Sequence, residues 1–219
     1  MLKESQAKIM LLLQAKMNAK VNPQWVEAAY PYLRAVVVEG AEAIEHHGWK
    51  WWKKQECDQE QLQMELVDIW HFTLSHILLE TRGDEAQALA DLMAMTQTEY
   101  DLEFDGKTIK ISELDLLQKL ELTIGLASAQ RLSVPLFAAL LEDCNMDWND
   151  LFCQYVGKNV LNFFRQDNGY KEGTYQKVWD GREDNEHLVE AMADLDSEHA
   201  DFQHQLYESL RDRYQKFSE

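Results

Sequence analysis

Residues that reverse a chain are scarce. The 219 residues include 9 glycines and 3 prolines, too few for the frequent tight turns of a β-sandwich or barrel, so long helices are expected. Cysteine pairing is absent as well: Cys57, Cys144 and Cys153 are odd in number and form no Cys-x-x-Cys motif. Free thiols in a reducing compartment, most simply the cytoplasm, are the expectation. Long apolar runs are missing. Ile9 to Leu13 spans five residues between Lys8 and Lys16, far short of a signal-peptide core or a membrane span. Positive charge is in deficit too, with 21 Lys and Arg against 39 Asp and Glu, a formal net charge of −18. Such a field repels nucleic acids and anionic membrane surfaces, and an anionic small substrate needs a metal ion or a local basic patch to bind against it.

What remains is a chain with 46% apolar residues, enough for a substantial core. The expected fold is a single all-α domain over residues 1–219, a helical bundle without internal repeats. Ile9, Leu12 and Leu13 suggest the apolar stripe of a first helix that stops before Asn22-Pro23. Further helices are expected over Tyr32–His46, Gln59–Glu80, Asp84–Glu99, Ser112–Gln130, Ser133–Glu142, Trp148–Gln166, Asp184–Leu195 and Glu198–Gln215. Starts at Ser112 and Asp147 each place an acid three residues on, Asp115 and Asp150, approximating capping boxes. Between Gly169 and Asp184 the periodicity breaks among Gly169, Gly173, Gly181, Lys171, Lys177 and Arg182, and this segment reads as a functional loop.

Two helical segments carry acids at one spacing: Glu39 and Glu42 in VVVEGAEAIE, then Glu65 and Asp68 in QMELVDIWHF. Residues three apart share a helix face, and the apolar neighbours of the second pair turn its acids inward. If the helices pack side by side, four carboxylates converge and require protons or a counter-charge. A divalent cation supplies one; all-oxygen ligation points to Mg²⁺, with Mn²⁺ as a substitute. Gly40 and Ala41 would allow close helix approach, and Glu45 is either an outer partner or a surface acid. The plain alternative is two solvated acidic stripes in an acid-rich chain.

A basic face stands out near the C-terminus. Lys158, Asn162 and Arg165 fall at i, i+4 and i+7 on one helix, followed by a loop with Lys171, Tyr175 and Lys177 able to fold over phosphates. Lysines that merely solubilise a loop are the alternative. Gln14 and Asn18, at i and i+4, offer amides that can complement the N3–H and O4 edge of uracil, a pattern that cytosine reverses.

The segments LLQAKMN, EGAEAIEHHGWKWWKK, ELVDIWHF and YVGKNVLNFFRQDNGYKEGTYQKVWDGREDN together resemble, in order and spacing, the dimeric all-α dUTP diphosphatases of the all-α NTP pyrophosphohydrolase group. The likeness spans about residues 10 to 188. It implies an all-helical homodimer that hydrolyses dUTP and dUDP to dUMP with Mg²⁺. It implies metal ligation by Glu39, Glu42, Glu65 and Asp68; among these acids Glu39 is our choice for the carboxylate that orients or deprotonates the attacking water. Gln14, Asn18, Trp49 and His71 would line the uracil pocket, and Phe72 would crowd the ribose 2′ position. Lys158, Asn162, Arg165, Lys171, Tyr175 and Lys177 would serve the sugar and phosphates. Residues 84–145 carry no assignment.

Three other readings compete. One is a pyrophosphatase of the same group with broader nucleotide taste. Another is a ferritin-like di-iron bundle using acid-x-x-His spacing such as Asp68 with His71, and the last is a non-enzymatic scaffold that binds a partner through its tryptophans.

Overall fold

The computed structural model describes residues 1–97, 101–195 and 201–218. Helices dominate: α1 (Glu4–Val21), α2 (Trp25–Ala28), α3 (Tyr32–His47), α4 (Gln59–Glu80), α5 (Glu85–Met95), α6 (Leu116–Ser128), α7 (Val134–Asp143), α8 (Trp148–Asp167), α9 (Asp184–Ala193) and α10 (Phe202–Ser218). The all-α class expected from the sequence is the class observed. No helix among the described residues is long and apolar enough to cross a membrane.

Helix α4 is the axis of the molecule. It buries Leu62, Leu66, Ile69, Trp70, Leu74, Ile77 and Leu78 together with the polar Glu65, His71 and Ser75, so it is enclosed nearly all round. Helix α3 runs beside it, α1 and α8 cross its other side, and α6 covers α3. Trp70 closes the centre, stacked on Phe137 at 4.8 Å between ring centroids and meeting Trp148 edge-on at 5.2 Å. On the far side of α8, α9 and α10 complete the core through Leu188, Leu206 and Leu210.

Several expectations need correction. Of the expected stripe Ile9, Leu12 and Leu13, only Leu13 is buried, whereas Ile9 and Leu12 are 41% and 38% exposed. The rest of the buried face is Gln6, Ala7, Met10, Leu11, Gln14, Met17 and Asn18, where Ser75, His71 and Tyr155 across the interface take up Gln14 and the Oδ1 of Asn18 and so lower the cost of enclosing them. Helix α6 does not begin at Ser112; Ile111–Glu113 forms a 3₁₀ turn, and Asp115 is the cap, exchanging hydrogen bonds with Gln118. The box at Asp147 and Asp150 forms as expected. Strands were not expected, yet Asp101–Phe104 (β1) pairs antiparallel with Lys107–Lys110 (β2), and Val178–Trp179 (β3) with Arg182–Glu183 (β4). Both hairpins turn on Asp-Gly, with φ of +50° and +71° at Asp105 and Gly106 and +50° and +80° at Asp180 and Gly181, the left-handed conformation such two-residue turns demand. The last positions expected for the helix after Asp84, 98 and 99, and the first expected for the final helix, 198–200, lie outside the described residues.

Gly40 does permit a close approach, but to α6 rather than α4. A Cβ there would lie 2.8 Å from Ile124 Cγ1, a stiff β-branched side chain. Gly40→Leu is expected to destabilise the protein by about 1–3 kcal/mol in thermal denaturation, through separation of α3 from α6.

Candidate active site

Helices α3 and α4 lie side by side, so the face carrying Glu39 and Glu42 meets the face carrying Glu65 and Asp68. One carboxylate oxygen each from Glu39, Glu42 and Glu65 lie within 4.8 Å of one another. The fourth acid is turned aside: Asp68 Oδ2 pairs with Lys158 Nζ at 2.9 Å. Three of the four expected ligands therefore converge, with Asp68 beside them. Burial, followed by the charge of Asp68, raises the carboxyls of both Glu39 and Glu65 above their usual range, and Lys158 pulls the other way. Three oxygens held this close, two of them reluctant to ionise, fit a hard divalent cation, which would relieve the repulsion and is matched by oxygen donors. His46 was not singled out in the sequence, yet its Nε2 stands 3.6 Å from Glu65 Oε1. Glu45 faces outward instead, accepting from Trp49 Nε1 at 2.6 Å and Lys50 Nζ at 2.8 Å.

Two cavities flank this cluster. The first, about 600 Å³, opens where α1, α3, α4 and α8 meet and is walled by Gln14, Asn18, His71, Phe72 and Asn162. The second, about 570 Å³, holds the carboxylates together with Lys177. Glu39, Asp68, Lys158 and Arg165 border both, so one elongated ligand can span them.

The polar end of the first cavity is a closed hydrogen-bond network. Gln14 Oε1 accepts from the Tyr155 hydroxyl and lies against His71 Nδ1, each at 2.8 Å. Its Nε2 donates to Ser75 Oγ at 2.8 Å and Asn18 Oδ1 at 3.1 Å. Because an amide oxygen only accepts, His71 carries its proton on Nδ1. Burial pushes this imidazole down to about 4, so it is neutral at physiological pH. Two buried atoms of this wall keep no partner, Asn18 Nδ2 and His71 Nε2: one donor and one acceptor. Gln14, expected to touch a base, is fully engaged and acts instead to orient its neighbours. His71 is held in this network through Nδ1, while its Nε2 keeps no partner.

Three further expectations are not met within the chain. Trp49 lies in a separate hollow of the Gly48–Gln55 loop, ringed by Trp51 and Trp52. Lys171 is exposed, its Nζ donating to the carbonyl of Val21 at 3.0 Å. Tyr175 is packed among Phe164, Trp179 and Tyr214, with its hydroxyl on Asp184. Aromatic content in a glycine-bounded loop suggested ligand contact, but here it builds core. Sequence reading also missed Ser75 and Tyr155, which extend faces already identified, at i+4 from His71 and i−3 from Lys158. It missed Asp184 and Asn185 in GREDN as partners of Arg165 and Lys158.

A family model described as dUTPase matches residues 6–170. The chain belongs to the dUTPase family. No curated protein matches it. The protein is accordingly an enzyme that hydrolyses dUTP, and the match covers the helices that carry the carboxylates and the first cavity, while Lys177, Glu183, Asn185 and Glu186 of the second lie beyond it. The scaffold reading falls with this assignment.

The raised carboxyls of this dUTPase have a consequence for stability. Glu39 and Glu65 hold protons more tightly folded than unfolded, so above the ordinary carboxylate range the folded state binds more protons and stability falls as pH rises. Metal-free protein is therefore expected to melt at lower temperature as pH is raised from about 5 through neutrality, with a shallower decline in Glu65→Gln. Mg²⁺ at about 100 times its dissociation constant should restore roughly 2.7 kcal/mol, followed by calorimetry.

Proposed function

We propose that this dUTPase converts dUTP and water to dUMP and pyrophosphate, and dUDP and water to dUMP and phosphate, as a cytoplasmic homodimer dependent on Mg²⁺, with Mn²⁺ as a substitute. The observation that carries the base assignment is the unpartnered pair on the cavity wall. Uracil presents an N3–H donor beside an O4 acceptor; N3–H would donate to His71 Nε2, and O4 would accept from Asn18 Nδ2. Cytosine presents a lone pair at N3 and an amino group at C4, so both contacts become repulsive. A site built on such paired groups rejects the mismatched base by about 10⁴–10⁵. Phe72, half-buried on the same wall, is placed to crowd a ribose 2′-hydroxyl.

From this end the nucleotide would extend past Asn162 toward the second cavity, bringing its phosphates to Lys158, Arg165 and Lys177. Glu39, Glu42 and Glu65, with Asp68 adjacent, would hold the cation. When bound, that ion offsets phosphate charge and lowers the pKa of the attacking water. Glu39 borders both cavities, so its carboxylate is the group placed to orient that water and take its proton. Arg165 and Lys158 would stabilise charge on the departing phosphate, an effect typically worth about 2.7–4 kcal/mol for a well-placed donor.

A homodimer accords with the loop carrying Trp51 and Trp52, which are 86% and 59% exposed and contact each other edge-on; aromatic residues in such numbers favour protein interfaces.

Pyrophosphate release from a panel of deoxy- and ribonucleoside triphosphates, with and without Mg²⁺, tests the reading. Turnover confined to dUTP and lost in Glu65→Gln, with the helical circular dichroism unchanged, is the expected result; equal turnover of dCTP would identify a broader pyrophosphatase. Asn18→Asp, which replaces the outward donor by an acceptor, should lower the preference for dUTP over dCTP by about 10–100-fold. Sedimentation equilibrium should give twice the chain mass.

A further inference from the structure

The family match ends at residue 170, yet both cations that border the two cavities are held from beyond it. Asp184 is 0% exposed. Its carboxylate clamps the Arg165 guanidinium in two parallel contacts, Nε to Oδ2 at 2.8 Å and Nη2 to Oδ1 at 2.7 Å. Oδ2 also accepts from the Tyr175 hydroxyl at 2.8 Å. The next residue, Asn185, accepts through Oδ1 from Lys158 Nζ at 3.0 Å and Arg165 Nη2 at 3.4 Å. The backbone N–H of Asp184 donates to the carbonyl of Lys177 at 2.9 Å, so one corner ties α8, the 169–183 loop and the first turn of α9 together. That turn's partial positive charge favours a carboxylate.

Asp184 borders neither cavity and cannot touch a ligand there; Arg165 borders both. A two-point carboxylate contact fixes the plane of a guanidinium, which a single contact does not. Arginine has five N–H groups. The clamp takes Nε–H and one on Nη2, and Asn162 Oδ1 takes one on Nη1 at 3.1 Å. One N–H on Nη1 remains, with a second on Nη2 held weakly by Asn185.

We propose that Asp184 is a positioning residue which fixes the plane of Arg165 so that its remaining N–H groups meet the phosphates, while Asn185 holds the Lys158 ammonium at the cavity wall. The segment beyond the family match is then part of the phosphate-binding apparatus. This rests on the dUTP reading above.

A double-mutant cycle in the full-length protein tests it. Asp184→Asn keeps the side chain's shape but sets an NH₂ group against one guanidinium N–H. It should raise KM for dUTP and lower kcat/KM by about 10–100-fold, leaving the preference for dUTP over dCTP unchanged. In an Arg165→Leu background the same substitution should add no further loss, because its effect runs through the arginine. Binding of α,β-imido-dUTP by calorimetry should follow the same pattern. Wild-type kinetics in Asp184→Asn, or losses that add in the double variant, would overturn the proposal. If Asp184→Asn does not fold, Tyr175→Phe and Asn185→Ala take its place, and unchanged kcat/KM in both would overturn it. A wild-type protein that leaves dUTP intact sinks the substrate reading instead. The cycle is then read on binding of inorganic triphosphate, where coupling between Asp184 and Arg165 supports the positioning role and its absence removes it.

Discussion

Lys158 is 3% exposed and its ammonium lies 2.9 Å from Asp68. An enclosed pair of this kind, broken by loss of one partner, costs about 3–5 kcal/mol. Its importance here exceeds that figure, because the pair sits where everything else meets. It ties α4 to α8. It forms part of the boundary between the two cavities and places a positive charge against Glu39 and Glu65, partly offsetting what burial and Asp68 do to them. It also removes Asp68 from the tight carboxylate trio, so three acids converge with a fourth already balanced.

Enclosing polar groups demands partners, and most of the molecule's interior design follows from supplying them. Gln14 and Asn18 can face α4 because Ser75, His71 and Tyr155 answer them. The cost of that answer is an inner wall whose hydrogen-bond polarity is set before any ligand arrives, which is the condition for reading one base edge against its reverse. The same logic operates at the phosphate end, where Arg165 and Lys158 are matched by Asp184, Asn185 and Asp68 instead of standing free.

The acid spacing was legible because a helix repeats locally: Glu39, Glu42, Glu65 and Asp68 needed only that α3 and α4, consecutive long helices, be neighbours. Lys158, Asn162 and Arg165 were legible for the same reason. Helix class and most boundaries followed from the shortage of glycine and proline. What failed depended on contacts distant in sequence. The buried face of α1 is polar at three positions, Gln6, Gln14 and Asn18, so hydrophobic periodicity caught only Leu13 of it. Trp49, Lys171 and Tyr175 have the chemistry of ligand contacts, but the paths of their loops carry them elsewhere. The two Asp-Gly hairpins were locally readable, but their strands are short and rich in charge, so residues 100–111 drew no element and 169–184 read as a loop. Pairing of Arg165 with Asp184 lay beyond reach, since nothing in the chain near Arg165 specifies which acid returns to it.

Pairing each cation with an acid has a physical cost in a protein of charge −18. Balanced by Asp184 and Asp68, Arg165 and Lys158 present oriented donors more than net charge, so they cannot by themselves draw a triphosphate into an acidic fold. On the reading proposed above, the compensation would come from the carboxylate trio holding a divalent ion, which would turn a repulsive part of the surface into an attractive one. Affinity for the phosphates and affinity for the cation are thereby linked, while the orienting of Arg165 stays independent of both. Such a separation would let a chain so deficient in positive charge serve an anionic substrate: direction would come from its own paired side chains, and the attractive charge from the ion proposed for its acids.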